Sequence, residues 1–420
     1  AIGAELGRGG TEAEGWAYSL RDEDGGLAQI SAFSGGSQEG LADLIAGEAD
    51  LAIVTRPMTE AEAAALMPGG LSALRAAGLE SILATDGMVV VTDASVGVMS
   101  IRLEDVARIF AGEIQNWAAI GGPDLPITAF AREQGSGTRD VFTELILQPF
   151  GRSMADRVIG VDNDKGIADA VVAFPGSIGV TSYYSAAGAR ALDLEGACGL
   201  VAAPDPFEMQ TGRYPLTRYL YAYRAPGAPD ALADGLLAFL QSQAGQQALS
   251  AMGYIGQRIT SEGLEAQRAR LALAMAEPPE EALLGPLRTM IETLISAERI
   301  SPTFRPDGPR GGAVLAAEHG RRLAEEIAAG TFDGRELLFL GFTDPAAPAA
   351  GAALSESLAA AEAVRDAVLA AAPEIGGSAS VALSAYGFGG LAPLACGGTP
   401  LGRDINRRVE VWTRPLPEGG

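Results

Sequence analysis

An arginine, a serine and a threonine set among glycines fall within eight residues, Arg132-Glu-Gln-Gly-Ser-Gly-Thr-Arg139. Side chains of these types suit one task, holding a small oxyanion. A glycine-flanked Ser136-Gly137-Thr138 at a helix start aims unpaired backbone N–H groups and two hydroxyls at one spot. The helix dipole makes that spot favourable for negative charge. Arg132, just upstream, adds a planar fork of donors shaped for phosphate or sulfate. A capped helix after a tight turn explains the tripeptide equally well, so the surrounding sequence has to decide.

The elements that must position these groups are readable from hydrophobic spacing. Ile127–Phe130 reads as a short strand entering the motif, and Val141, Phe142, Leu145 and Ile146 recur at helical spacing after it, predicting a helix over Asp140–Leu147. Gln29–Phe33, Leu51–Val54 and Met88–Thr92 read as further strands, and Glu39–Ala46, Leu103–Phe110 and Lys165–Phe174 as helices. Strands alternating with helices predict an α/β domain over residues 1–258. Beyond Gly256 the texture becomes rich in alanine, arginine and glutamate, and Pro278-Pro279 breaks it. Residues 259–300 read as a helical linker whose apolar positions are too sparse for a core. Residues 301–414 form another unit: a buried strand at Leu337–Asp344, a long alanine-rich helix at Leu354–Ala371, and a strand at Ser380–Tyr386.

Composition excludes several classes. The chain has 420 residues, 48% hydrophobic and 20% charged, with a net charge of −23. That balance argues against nucleic acid and anionic membrane surfaces, and it repels small anions at long range. Any anion site must therefore be locally positive or built from neutral donors. Lys165 is the single lysine. No apolar run of about 18 residues exists to span a membrane. Cys198 and Cys396 lie far apart without CxxC or metal spacing; an oxidising compartment would allow a disulfide between them, but they read rather as two separate buried thiols. His319 is the sole histidine, in a helical run, and reads as a surface residue. Histidine-based catalysis and a histidine metal cluster are excluded on that ground. Gly135-Ser136-Gly137 is no GxSxG elbow, since Glu133 takes the first glycine's place, and no GxxxxGK[ST] occurs. Asp162-Asn-Asp164 lacks the later glutamate of a calcium loop and reads as a capping turn. No enzyme activity, catalytic residue, metal site or cofactor is expected.

Ile109-Phe-Ala-Gly-Glu-Ile-Gln-Asn-Trp117, Gly121-Gly122, Arg132 with Gly135-Ser-Gly-Thr138, Pro175-Gly-Ser-Ile-Gly179, Tyr214-Pro-Leu-Thr-Arg-Tyr-Leu-Tyr221 and Gly253-Tyr-Ile255 follow one another over residues 1–258. In that order they resemble the phosphate-binding proteins of ABC importers. The resemblance implies a two-lobed type II periplasmic-binding-protein fold closing on its ligand by a hinge. It implies that Arg132, Ser136, Gly137 and Thr138 are ligand residues of the second lobe. Ser37, in Ser34-Gly-Gly-Ser37, falls at the family's first-lobe serine, although a plain helix cap explains it too. Thr55 stands where phosphate-selective members carry an aspartate that accepts a phosphate proton, so strict rejection of sulfate is no longer implied. Arg56 beside it reads equally as a cleft or a surface residue. Gln134 stands where many members have an aspartate holding the arginine, which leaves Arg132 more charge for the ligand. Trp117 and Tyr254 read as packing residues. Ala1–Gly10 reads as the end of the helix after the family's first strand, so the chain is read as a fragment lacking that strand.

Gly402-Arg-Asp-Ile-Asn-Arg-Arg-Val-Glu-Val-Trp412, with Tyr386-Gly387 and Pro393, resembles the end of OmpA-like peptidoglycan-binding domains, closing in an outer strand. This implies a smaller α+β fold with Asp344 and Arg407 as peptidoglycan contacts. The arginine usual on the following helix is replaced by Ala360. Together the two resemblances imply a non-enzymatic protein of the Gram-negative periplasm. It would bind inorganic phosphate or a related oxyanion, have an ABC permease and peptidoglycan as partners, and neither span the membrane nor bind nucleic acid. The alternative is an envelope-structural, peptidoglycan-associated protein with a degenerate cleft.

Overall fold

The computed structural model describes residues 7–9, 16–21, 27–227, 230–263, 265, 267–268, 272, 281–305, 312–345, 350–371, 381–397 and 399–416. From Leu27 to Ala251 strands and helices alternate, as the hydrophobic spacing predicts. One long strand, Glu80–Thr92, ties this region together. Its first half pairs with Thr217–Arg224, and from Met88 onward it pairs with Ser177–Ser182. The resulting seven-stranded sheet runs Leu51–Val54, Thr217–Arg224, Glu80–Thr92, Ser177–Ser182, Thr128–Arg132, Ile159–Val161, with Arg190–Ala191 paired beside the long strand.

Two cores flank the point where the long strand changes partner. Leu41, Leu44, Val54, Leu74 and Tyr221 gather in one, and Val90, Phe110, Trp117, Phe142 and Ile178 in the other. The first lobe thus comprises residues 27–87 with the chain from 217 to 258, and the second comprises 88–216. Gly87 sits at the crossing, where a Cβ would collide with the Met209 sulfur. Trp117 is fully buried and donates from Nε1 to the Gly176 carbonyl at 2.9 Å, as a packing residue should. Truncating it to alanine would cost about 3–5 kcal/mol.

The C-terminal half holds a five-stranded sheet in the order Ser261–Glu262, Glu298–Phe304, Arg408–Pro415, Arg335–Phe342, Val381–Gly387. The two-residue period of a strand explains how it is covered. Leu337 and Phe339 join a core with Leu323, Ile327, Val364 and Val368 from helices Gly312–Ala328 and Ala350–Ala371. Leu338 and Leu340 point the other way, into a core with Leu287, Met290 and Leu294.

Several expectations change here. The stretch 259–300, expected as a linker, supplies the helix Leu284–Ile295, two residues of strand at Ser261–Glu262 and the start of Glu298–Phe304. Leu287, Met290 and Leu294 form one apolar stripe that caps the second face of the sheet; Pro278-Pro279 lie outside the described residues. The last strand, expected at the outside, is central, because Glu298–Phe304 pairs on its far side. Gly7–Gly9 pairs antiparallel with Trp16–Arg21 rather than ending a helix, and residues 1–6 and 10 lie outside the described residues. His319 is buried, not exposed, and its Nδ1 lies 3.1 Å from the Thr303 carbonyl. Cys198 and Cys396, expected as separate thiols, form a disulfide with Cα atoms 5.6 Å apart. The turn between Asp193–Glu195 and Val201–Ala202 meets the loop before helix Pro400–Asn406, a proximity that spacing along the chain cannot reveal.

Among the described residues no helix is long and apolar enough to cross a membrane. The C-terminal half touches both lobes. Leu315 belongs to the first lobe's core, Leu401 packs on the second lobe's, and Arg305 donates to the Thr211 carbonyl at 2.9 Å.

Candidate functional site

Strand Thr128–Arg132 delivers Arg132 at its last position, and a tight turn follows in which Gly135 takes φ 85°, a conformation that favours glycine. Ser136 is the residue before helix Gly137–Phe142 and is buried. Arg132 donates from Nη1 to Asp164 Oδ2 at 2.9 Å. Its Nε is buried and meets no acceptor among the described residues. A buried donor without a partner costs on the order of 1–3 kcal/mol, so its place at a cluster of hydroxyls needs a reason.

Asp164 opens helix Asp164–Ala173, whose cap is Asn163; the Asn163 side chain accepts from the Gly166 N–H at 2.7 Å. The capping-turn reading of Asp162-Asn-Asp164 therefore holds for Asn163, while Asp164 does different work. It takes the role that Gln134 was expected to leave empty. Arg132 is held by an acid, but one 32 residues away rather than two. The expectation of an unpaired Arg132 is corrected accordingly.

Thr138 is tied in from the other side. Arg218, in the return strand, donates from Nη1 to Thr138 Oγ1 at 2.7 Å. Thr138 Oγ1 lies 3.4 Å from both carboxylate oxygens of Asp164, long for an O–H···O bond, so its proton can turn to a ligand. Arg218 is itself fixed by Asp86, with contacts of 2.8 and 2.7 Å in a pair almost wholly buried. Burial pushes the Asp86 carboxyl up to about 6, against the pull of Arg218.

The first lobe supplies Ser37 and Thr55. Ser37 is the first residue of helix Ser37–Ala46 but makes no cap, since Gly36 holds the cap position. Its Oγ accepts from the Thr55 N–H at 3.2 Å and lies 3.4 Å from Thr55 Oγ1. Both hydroxyls face Gly137 of the second lobe. A Cβ at Gly137 would lie 2.6 Å from Thr55 Oγ1 and would clash with Ser37 Oγ. Only a glycine lets the lobes come this close. Nearby, a Cβ at Gly36 would lie 2.5 Å from the Gly135 carbonyl oxygen.

The structure thus brings Ser37, Thr55 and Gly137 to one junction, and Arg132 and Thr138 to one carboxylate. Arg56 is neither a free cleft residue nor a bare surface one. It forms a bidentate pair with Glu62 at 2.9 and 2.7 Å and reaches Asp140 of the second lobe at 3.3 Å. Burial works to raise the Glu62 carboxyl, but Arg56 and the Thr59 donors hold it down at about 2. Sequence reasoning missed Asp164, Arg218 and Asp86 as parts of this network. Arg218 lies inside the Tyr214–Tyr221 motif, the one signal that could have singled it out. Chemically, the cluster offers hydroxyls, one guanidinium with a spare N–H, and a carboxylate that orients it. Among the described residues no group of three or more His, Cys, Asp and Glu is placed to hold a metal.

In the C-terminal half, Asp344 is buried against Gly397, where a Cβ would lie 2.7 Å from Asp344 Oδ1. Arg407, Thr343 and Ala360 line a cavity of about 480 Å³ shared with Glu144 and Leu145 of the second lobe. Arg408 turns inward instead and stacks on Phe342, 4.1 Å from its ring centre.

Residues 28–244, slightly more than half of the chain, match the family model described as the PBP superfamily domain, and the chain belongs to that superfamily. The chain is 30% identical over 176 residues to the phosphate-binding protein PstS of Bacillus subtilis (strain 168), covering 41% of this chain and 56% of that protein. It is 29% identical over 193 residues to the protein SphX of Synechococcus elongatus, covering 42% of this chain and 54% of that protein. The matches thus span little more than half the length of these curated relatives. Among solved structures, it is similar to an ABC-type phosphate transport receptor from Vibrio cholerae at 26% identity and a TM-score of 0.43, covering 52% of this chain and 85% of that one. It is also similar to PstS from Borrelia burgdorferi at 23% identity and a TM-score of 0.38, covering 53% and 84%.

Proposed function

We propose that the two-lobed region, residues 1–258, captures an inorganic oxyanion, phosphate first among them, for an ABC importer in the Gram-negative periplasm. The observation that carries this reading is Arg132: its Nη1 is spent on Asp164, while its buried Nε has no acceptor among the described residues. Arg132 and Thr138 would grip the anion from the second lobe, with Ser136 and Gly137 beside them. Ser37 and Thr55 would close on it from the first lobe. Thr55 donates or accepts, so sulfate would be rejected weakly. The curated relatives named as phosphate-binding proteins support the same ligand. The Cys198–Cys396 disulfide suits an oxidising compartment.

We place an OmpA-like unit at residues 301–414 and extend its sheet back into the preceding stretch, with Asp344 and Arg407 as contacts to peptidoglycan. Ala360 brings no arginine to that cavity, so the tether would be weaker by about 1.5–3 kcal/mol than one with a bidentate arginine–carboxylate pair. Calorimetric titration with phosphate, and with sulfate as competitor, tests the capture role. Sub-micromolar phosphate binding is expected. Absence of heat with both anions would remove the reading and favour an envelope-structural role, for which a pull-down on purified peptidoglycan is the corresponding assay.

A further inference from the structure

The chain passes between the lobes twice, from Gly87 to Met88 and from Leu216 to Thr217. The two crossings lie side by side, because Thr217 is the register partner of Gly87. Adjacent crossings define one axis about which two lobes can turn, the arrangement of a hinge. A third link placed away from that axis would limit the turning. The C-terminal half supplies one.

Its hold on the second lobe is covalent. Cys396 is bonded to Cys198, in the turn between Asp193–Glu195 and Val201–Ala202. Those two strands belong to a three-stranded sheet separate from the seven-stranded one that carries the crossings. Leu401 packs on the second lobe's core nearby, and Arg305 donates to the Thr211 carbonyl at 2.9 Å. The hold on the first lobe is apolar. Leu315, near the start of helix Gly312–Ala328, is buried with Leu41, Val54 and Tyr221, and Val314 packs beside it.

The two anchors belong to one body. Helix Gly312–Ala328 packs through Leu323 and Ile327 on Ile300 and Phe304. Their strand, Glu298–Phe304, pairs with Arg408–Pro415, which follows helix Pro400–Asn406. Arg305 ties the same two parts again by donating to the Ile405 carbonyl at 3.4 Å. Turning the lobes apart must therefore draw Leu315 out of the first lobe's core or bend the C-terminal sheet. Both anchors are seated while the cleft faces meet, with Arg56 at 3.3 Å from Asp140 and the Gln38 N–H donating to the Gly135 carbonyl at 3.5 Å. The link fits the closed arrangement.

We propose that the C-terminal half is a strap that holds the cleft closed, with Cys198–Cys396 as its fixed end, so that release of a bound anion waits on the strap as well as on the hinge. A restraint that favours the closed form shifts the population toward it and makes opening rarer. This regulation rests on the oxyanion reading above. The test measures how fast unlabelled phosphate displaces bound radiolabelled phosphate from the full chain and from Cys198→Ser combined with Cys396→Ser. Non-cysteine spin labels at the exposed positions Glu48 and Ala119, one on each lobe, report the spread of distances across the cleft in both. Without the disulfide, release should be faster by roughly tenfold or more, and the distances before phosphate is added should spread more widely. Arg305→Ala combined with Leu401→Ala keeps the disulfide and should speed release by about threefold; it carries the test if the serine variant does not fold. Release within about twofold of the unaltered chain, or an unchanged spread of distances, would overturn the strap. Failure of every form to bind phosphate would remove the oxyanion reading instead, and the distances alone would then decide: a wider spread supports the strap and an unchanged one overturns it.

Discussion

Two arginine–carboxylate clusters in this chain look alike on paper and differ in what surrounds them. In the C-terminal sheet, Arg408 pairs with Glu410 at 2.6 Å, and Arg299 lies 3.5 Å from the same carboxylate oxygen. Trp412 donates to the other oxygen at 2.9 Å, and Arg408 spends further N–H groups on the Asn406 and Ala392 carbonyls. Every one of these side chains is sealed from water. In the cleft, the Arg132 side chain is 19% exposed, shares Asp164 with Thr138, and leaves one buried N–H without an acceptor among the described residues. The first cluster is sealed from water on every side and holds a sheet together. The second is oriented by the protein and left incomplete, the state expected of groups that meet a partner from outside. An arginine in a motif is therefore informative only with its access to solvent accounted for.

The contrast predicts different penalties. Glu410→Ala leaves two buried guanidinium groups facing each other and should cost about 3–5 kcal/mol in denaturant unfolding. A cost below about 1 kcal/mol would mean that water reaches this cluster after all. His319 sharpens the picture of a sealed C-terminal core. Burial holds its imidazole down at about 4 from an ordinary 6.5, against the Thr303 carbonyl and Glu318, which pull the other way. A depressed histidine pKa means the unfolded chain takes up a proton that the folded one refuses. Stability should therefore fall as pH drops from about 6.5 to about 4, by about 3 kcal/mol in total, and level off below that. His319→Gln should flatten this slope, as seen in melting curves across that range.

The smallest expected effect belongs to Asp86, behind Arg218 and Thr138. Its raised pKa means that the fold disfavours its charge, so this group's contribution to stability declines as pH rises from about 4 to about 6. An anion bound at Thr138 would raise it further. Affinity for sulfate, whose charge is constant over this range, should increase a few-fold as pH falls through about 6. Asp86→Asn should remove the dependence, and an unchanged slope in that variant would detach Asp86 from the site.

What the sequence revealed of all this follows the distance between partners. Arg132, Ser136, Gly137 and Thr138 sit in one turn, so their juxtaposition is written in consecutive letters. Asp164 and Arg218 reach Thr138 from 26 and 80 residues away along the chain, and Asp86 holds Arg218 across 132, through strands that cross between lobes. Nothing local marks an acid that will meet an arginine across a sheet. The disulfide is hidden for the same reason, its cysteines being 198 residues apart. His319 was legible and misread: Glu318, Arg321 and Arg322 suggest a surface, yet Leu315, His319, Leu323 and Ile327 recur every four residues and are all buried. The five-stranded sheet was legible from Leu337 onward. Its strand Glu298–Phe304 was not, because the charged Glu298-Arg299 pair and Pro302 interrupt the pattern of a strand.

The central claim is that the cleft arginine serves a ligand while its sealed counterpart serves the fold. Phosphate titration and thermal melting of Arg132→Ala and Arg132→Lys, run on the same samples beside the unaltered chain, test it most directly. Arg132→Ala should lower affinity by roughly tenfold to a hundredfold or more while the melting temperature moves by only a few degrees. Arg132→Lys should recover part of the charge but not the fork, and bind in between. Affinity unchanged in both variants, or lost only in step with unfolding, would contradict it.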